Sequence, residues 1–163
     1  MPIARLALAA AVLMTTAAHA GGWKTYANER FGAAADYPSG WKMGPEPENN
    51  DGRWFASPDG RAKVIISGNF ALETREAEMD QRAQPGNGET ITYLKKGEDW
   101  IVASGKRANG KIFYRKSLLS CGDQVWNNLD IEYPADDKAK YDRLVAHMAA
   151  SLRAGVGYNI TCK

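Results

Sequence analysis

The stretch Arg53 to Gly68, RWFASPDGRAKVIISG, constrains the fold more than any other part of this chain. Two apolar runs, Trp54-Phe55-Ala56 and Val64-Ile65-Ile66, flank Ser57-Pro58-Asp59-Gly60-Arg61, where proline presets a turn dihedral and glycine accepts a positive one. The pattern predicts a β-hairpin. Neither run alternates cleanly between apolar and polar residues. Both faces of the hairpin are therefore expected to meet apolar partners, as in the middle of a sheet covered on two sides.

The chain opens with Arg5, the apolar run Leu6 to Met14, and Ala18-His19-Ala20, which together read as a secretory signal cleaved after Ala20. The apolar run is too short to span a bilayer as an ordinary helix. Cleavage would remove 20 of the 163 residues and leave 143, the size of one domain covering residues 21–163. It would also remove one of the 21 basic residues, leaving 20 against 19 acidic ones. That balance offers no electrostatic reason to expect nucleic acid or an anionic membrane as partner. No cysteine follows the cleavage point to carry a lipid anchor, so the expected location is the periplasm or the exterior. There an even pair of cysteines, Cys121 and Cys162, is expected to form a disulfide that pins the tail Gly155 to Lys163 onto the sheet. The pair lacks the Cys-x-x-Cys spacing of a redox centre.

In chain order, Trp23 to Tyr26 and Phe31 to Tyr37 read as edge strands, stopped by Pro38-Ser39-Gly40. Trp41 to Met43 leads into the loop Gly44 to Gly52. Glu46, Glu48, Asn50 and Asp51 in that loop invite a calcium reading, but the glycine and the distal glutamate that an EF-hand loop requires are replaced by Asp51 and Ser57. Leu72 to Gln84 is rich in helix formers and carries only a thin apolar stripe of Leu72, Met79 and Ala83, which predicts a surface helix. Glu89 to Tyr133 reads as an antiparallel meander of four strands, with turns at Lys96 to Asp99, Asn109-Gly110 and Cys121 to Asp123. In the last strand Val125, Leu129, Ile131 and Tyr133 face one way, while Trp126, Asn128, Asp130 and Glu132 face the other. Ala135 to Arg153 is the clearest helix, with Tyr141, Leu144, Val145, Met148 and Leu152 on one stripe.

Arg30-Phe31-Gly32 with Tyr37-Pro38 and Trp41, then Ser57-Pro58-Asp59-Gly60 and the strand after it, then Tyr141 to Leu152, carry a resemblance to the PsbP-like superfamily. That superfamily includes the photosystem II extrinsic subunit and a Ran-binding nuclear import factor. The opening Trp-x-x-Tyr-x-Asn-x-Arg-Phe-Gly, from Trp23 to Gly32, resembles an uncharacterised branch of exported proteobacterial proteins. The resemblance spans nearly the whole chain after the signal, and its motifs are turns and core positions. It implies an α+β fold, a single α/β/α sandwich around a mainly antiparallel sheet with two main helices. It transfers no catalytic residue, and members act mostly as binding or accessory subunits.

The residues themselves give chemistry little purchase. Gly105 to Lys111 has the glycine and lysine spacing of a phosphate-binding loop, but Ile112 stands where the magnesium-binding hydroxyl belongs, and a strand rather than a helix follows. His147 is the sole histidine after the signal and sits beside the apolar stripe of the last helix, which favours a structural role over a general base. No Gly-x-Ser-x-Gly elbow surrounds Ser57, Ser104 or Ser120. Asp59, Glu98, Asp99, Asp130 and Glu132 are the carboxylates that a glycosidase would have to bring together. Trp41 and Trp54 are expected in the core. Trp126, on the polar face of its strand beside Asn128, is the candidate for an exposed anchor, although burial beneath a helix would serve it equally. Lys106, Arg107 and Lys111 cluster at one hairpin tip and could form a rim contact. The expectation is a non-catalytic periplasmic binding or accessory protein acting through protein–protein contact, without cofactor or metal. The alternative is an exported inhibitor of a lytic enzyme or a small-ligand-binding protein.

Overall fold

The computed structural model describes residues 22–162. The secretory signal and cleavage point expected from the sequence lie outside them. Strands β1 (Trp23–Ala27) and β2 (Ala34–Pro38) pair as an antiparallel ribbon of their own. The other strands are β3 (Lys42–Met43), β4 (Gly52–Ala56), β5 (Lys63–Phe70), β6 (Glu89–Lys96), β7 (Trp100–Arg107), β8 (Lys111–Ser120) and β9 (Val125–Pro134). They form one antiparallel sheet in the order β3-β4-β5-β9-β8-β7-β6. Helix α1 (Arg75–Arg82) follows β5, and α2 (Lys138–Ser151) follows β9 after a short 3-10 turn. The four-strand meander stands as the sequence predicts, and its Asn109-Gly110 turn rests on the residue type that the turn needs. Gly110, at φ +80°, donates its N–H to the Arg107 carbonyl at 2.9 Å. Gly60 likewise turns the SPDG hairpin at φ +69°.

The alternation of β9 divides the interior in two. Leu129, Ile131 and Tyr133 lie under α2, where they meet Val64 and Ile66 of β5, Phe55 of β4, and Tyr141, Val145, Met148 and Leu152 of the helix, and Val125 is buried on the same face of the strand. The β1–β2 ribbon lies against the same core, with the Tyr37 ring stacked on Phe55 at 3.9 Å. On the opposite face α1 is capped by the Thr74 side chain and sets Met79 against Ile101, Leu119 and Trp126. The result is an α+β sandwich with a helix on each side of the sheet.

Four expectations need correction. The central hairpin is covered on one face only: Phe55, Val64 and Ile66 are fully buried, but Ile65 is 38% exposed and Trp54 half-buried. Helix α1 packs over Ile101, Leu119 and Trp126 and leaves Trp54 uncovered, so Trp54 is not core, whereas Trp41 is buried. Phe31 belongs not to a strand but to the turn between β1 and β2, where its amide donates to the Asn28 side-chain carbonyl at 2.7 Å. Cys121 and Cys162 are joined, 41 residues apart, but the tail they hold does not lie on the sheet. It runs beside the β1–β2 turn, with the Tyr158 amide donating to the Glu29 carbonyl and the Asn159 amide to the Arg30 carbonyl.

The outer strand β6 has a register irregularity between Ile91 and Tyr93. At the opposite edge β3 is two residues long.

Candidate functional site

The sheet is wider than the helix that covers it. Helix α2 packs over β9, β5 and the near side of β8, and the half of the sheet formed by β8, β7 and β6 extends beyond it. Where the helix overhangs that half it carries Ala146, Ala149 and Ala150, whose small side chains leave space rather than fill it. Two adjoining cavities of about 590 and 550 Å³ share Tyr93, Tyr114 and Ala146 and so make one groove along the helix. Its floor is aromatic and aliphatic: Trp100, Val102 and Leu118 at one end, Ile112 and Tyr133 at the other. The Tyr93 ring stands at the outer wall, 52% exposed. Concave, largely apolar surfaces with a few convergent polar groups are where proteins take ligands and partner segments.

The polar groups of this groove are mostly cationic. Lys95 lies 5.9 Å from the Trp100 ring, Lys106 flanks the far end, and Lys116 donates from Nζ to the Ala149 carbonyl at 2.7 Å in the last turn of α2. Burial holds the Lys116 amine below its usual range. Lys138 is bound to Asp142, the acid of this lining, at 2.7 Å. Burial raises the Tyr114 hydroxyl above its ordinary range, and the nearby Tyr93 adds to the effect.

The site residues expected from the sequence fall elsewhere, or apart. Trp126 is not an exposed anchor: it is fully buried beneath α1, where its Nε1–H donates to Glu78 Oε2 at 2.7 Å and the Arg82 guanidinium lies 4.0 Å over its ring. The indole escapes the polar face because α1 brings a buried carboxylate to it. Asn128 beside it accepts from Arg82 at 3.0 Å and from the Ser117 hydroxyl at 2.8 Å, and donates to Asn69 at 2.9 Å. Lys106, Arg107 and Lys111 do not form one cluster. Successive residues of a strand point to opposite faces, so Lys106 joins the groove while Arg107 and Lys111 turn to the other side.

On that other side they meet the carboxylates. Lys111 binds Glu132 at 2.8 Å, and Arg107 lies within 3.4 Å of both Glu89 and Asp130. Arg115 binds Glu89 at 3.0 Å and sits with Arg107 over the ring of the fully buried Phe113. Burial pushes the Asp130 carboxyl up, against the pull of Arg107 and Arg115. Asp130 and Glu132 therefore do share a surface, but as members of an ion-pair network with cations between them. Asp59, hydrogen-bonded to Ser57, and Glu98, paired with Arg75, lie in other turns. His147 is 42% exposed at its side chain, stacks on Trp23 at 3.8 Å and contacts Asp36 at 3.1 Å, a structural tie between α2 and the ribbon. The Gly105 to Lys111 segment is a hairpin, and a side chain at Gly105 would strike the Thr90 carbonyl of the neighbouring strand.

An antiparallel sheet carrying a long helix and a β-ribbon on one face and a short helix on the other is the PsbP-like fold. Solved structures that share it include two of particular note. The solution structure of cyanobacterial PsbP (CyanoP) from Synechocystis superposes with a TM-score of 0.62 at 12% identity, covering 83% of this chain and 94% of that one. The crystal structure of the Saccharomyces cerevisiae Ran-binding protein Mog1p gives 0.53 at 7% identity, covering 82% and 95%. No protein-family model matches the chain, and no curated protein matches it by sequence. At these identities the likeness is one of fold. Among the described residues no helix is long and apolar enough to cross a membrane.

Proposed function

We propose that this chain is a non-catalytic binding or accessory module of the periplasm, and that it contacts another envelope protein through the groove between α2 and strands β6 to β8. The observation that carries the reading is the groove itself, an aromatic floor left open where a second helix could lie. Aromatic residues in such settings supply most of the energy of a contact. The rim of Lys95, Lys106 and Lys116 favours an amphipathic segment with acidic residues along its flank. Support for a contact role comes also from Mog1p, named for its binding of Ran, which builds its surfaces on the same fold.

The test is site-specific photo-crosslinking in intact cells. A photoreactive residue at position 93 should capture one partner chain, and the product should disappear in the Trp100→Ala variant. The same residue placed at position 158, on the 68% exposed Tyr158 away from the groove, should capture nothing comparable. Equal products from both positions, or none from position 93, would sink the reading.

A further inference from the structure

On the face of the sheet opposite the groove, a cavity of about 360 Å³ lies between the end of α1 and strands β7 and β8. Arg82 and Arg115 both line it. Arg82 is held over Trp126, and its three hydrogen bonds go to neutral acceptors: Ser117 Oγ at 3.3 Å, Asn128 Oδ1 at 3.0 Å and Asn69 Oδ1 at 3.2 Å. Its Nε–H is buried and has no acceptor among the described residues. Arg107 and Arg115 on the same face sit on carboxylates, but Arg82 has none in contact, since Glu78 spends its oxygens on Trp126 and on the amides of Leu72 and Glu73. Burial lowers the Arg82 pKa to about 10; the charge of Glu78, near but not in contact, works against the shift, and the charge of Arg115 adds to it.

A desolvated guanidinium whose Nη donors meet only neutral acceptors, lining a cavity with a second guanidinium, is stabilised by an anion that accepts from it. The rest of the lining states what kind. Ile101 and Ala103 are buried apolar residues, Pro85 adds a third apolar wall, and the volume exceeds what a bare inorganic ion needs. We propose that this cavity binds a small organic carboxylate, with the carboxylate accepting from Arg82 and Arg115 and the apolar body resting on Ile101 and Ala103. This second site lies on the far side of the sheet from the groove and stands or falls independently of it.

The probe is benzoate, titrated into 15N-labelled protein, with benzamide and inorganic phosphate as controls. Saturable shifts should appear in the amides of Gln81 to Gly86 and Ile101 to Ala103 and at the Arg82 Nε–H. Benzoate should bind about tenfold or more tightly than benzamide, which lacks the charge, and than phosphate, which lacks the apolar body. Arg115→Gln, which leaves the stack of Arg82 on Trp126 in place, should weaken benzoate by about tenfold. Shifts that never saturate, benzamide or phosphate binding as tightly as benzoate, or saturation mapped away from Arg82 in the unmutated protein would each overturn the proposal. Arg82 would then be a packing residue only.

Discussion

Trp126 and Glu78 satisfy each other inside the protein: the indole N–H donates to the carboxylate at 2.7 Å, and both residues are at least 94% buried, with exposures of 0% and 6%. The other carboxylate oxygen accepts from the amides of Leu72, at 2.7 Å, and Glu73, at 3.2 Å. One side chain thus organises the approach to α1 and the indole beneath it. Glu78→Ala strands three donors and should cost about 3 kcal/mol of stability, read from urea unfolding followed by tryptophan emission. A loss below about 1 kcal/mol would mean that water replaces the carboxylate freely.

The same carboxylate sets part of the acid limit of the fold. Although burial alone would raise the Glu78 pKa, its hydrogen bonds to Leu72, Trp126 and Glu73 hold it below its ordinary 4.5. Asp36 is held below 3.8, first by the Thr25 hydroxyl and then by His147. Their stabilisation is complete above those ordinary values and is lost as pH falls through the lower folded ones. Asp130 behaves in the opposite sense: raised by burial, it favours folding when protonated, and that contribution is lost as pH rises through its folded value. An NMR titration of the carboxyl carbons should place Asp130 above the ordinary aspartate value and Asp36 below it.

Reduction of the Cys121–Cys162 bond should lower stability by about 3 to 4 kcal/mol for a closed loop of this length. The tail should be the first part to respond. Hydrogen exchange at the Tyr158 and Asn159 amides, which donate to the β1–β2 turn, should accelerate before exchange in β9 does. Uniform acceleration across the sheet would show that the bond stabilises the fold as a whole.

Gly32→Ala should destabilise the protein by about 2 to 3 kcal/mol, seen as a lower thermal midpoint. The residue sits at φ +72°, and an added Cβ would strike the carbonyl of Gly155, so both the turn and the tail crossing it have to move.

Much of this architecture is written in short-range patterns. Asn109-Gly110 and Pro58-Asp59-Gly60 specify their turns, and Leu129, Ile131 and Tyr133 specify the buried face of β9. What escapes the sequence depends on distance between elements. Nothing near Trp126 in the chain announces that Glu78, 48 positions earlier, will be its partner. The one-sided cover of Trp54 and Ile65 follows from where α1 packs, over Ile101, Leu119 and Trp126. The separation of Lys106 from Arg107 could have been read from strand alternation alone, once β7 was placed. The groove had a fainter signal in Ala146, Ala149 and Ala150, three small residues on one side of an otherwise bulky helix.

The irregular register in β6 has a consequence for any visitor to this sheet. With that irregularity at Ile91 to Tyr93, Lys95 and Lys96 at the end of β6, and a two-residue strand at the far border, neither rim offers an even row of free amides and carbonyls for an incoming strand to zip onto. Whatever docks must bring its own completed backbone and be judged by its side chains alone. The same geometry leaves two such molecules no ready seam along either border of this sheet when crowded together.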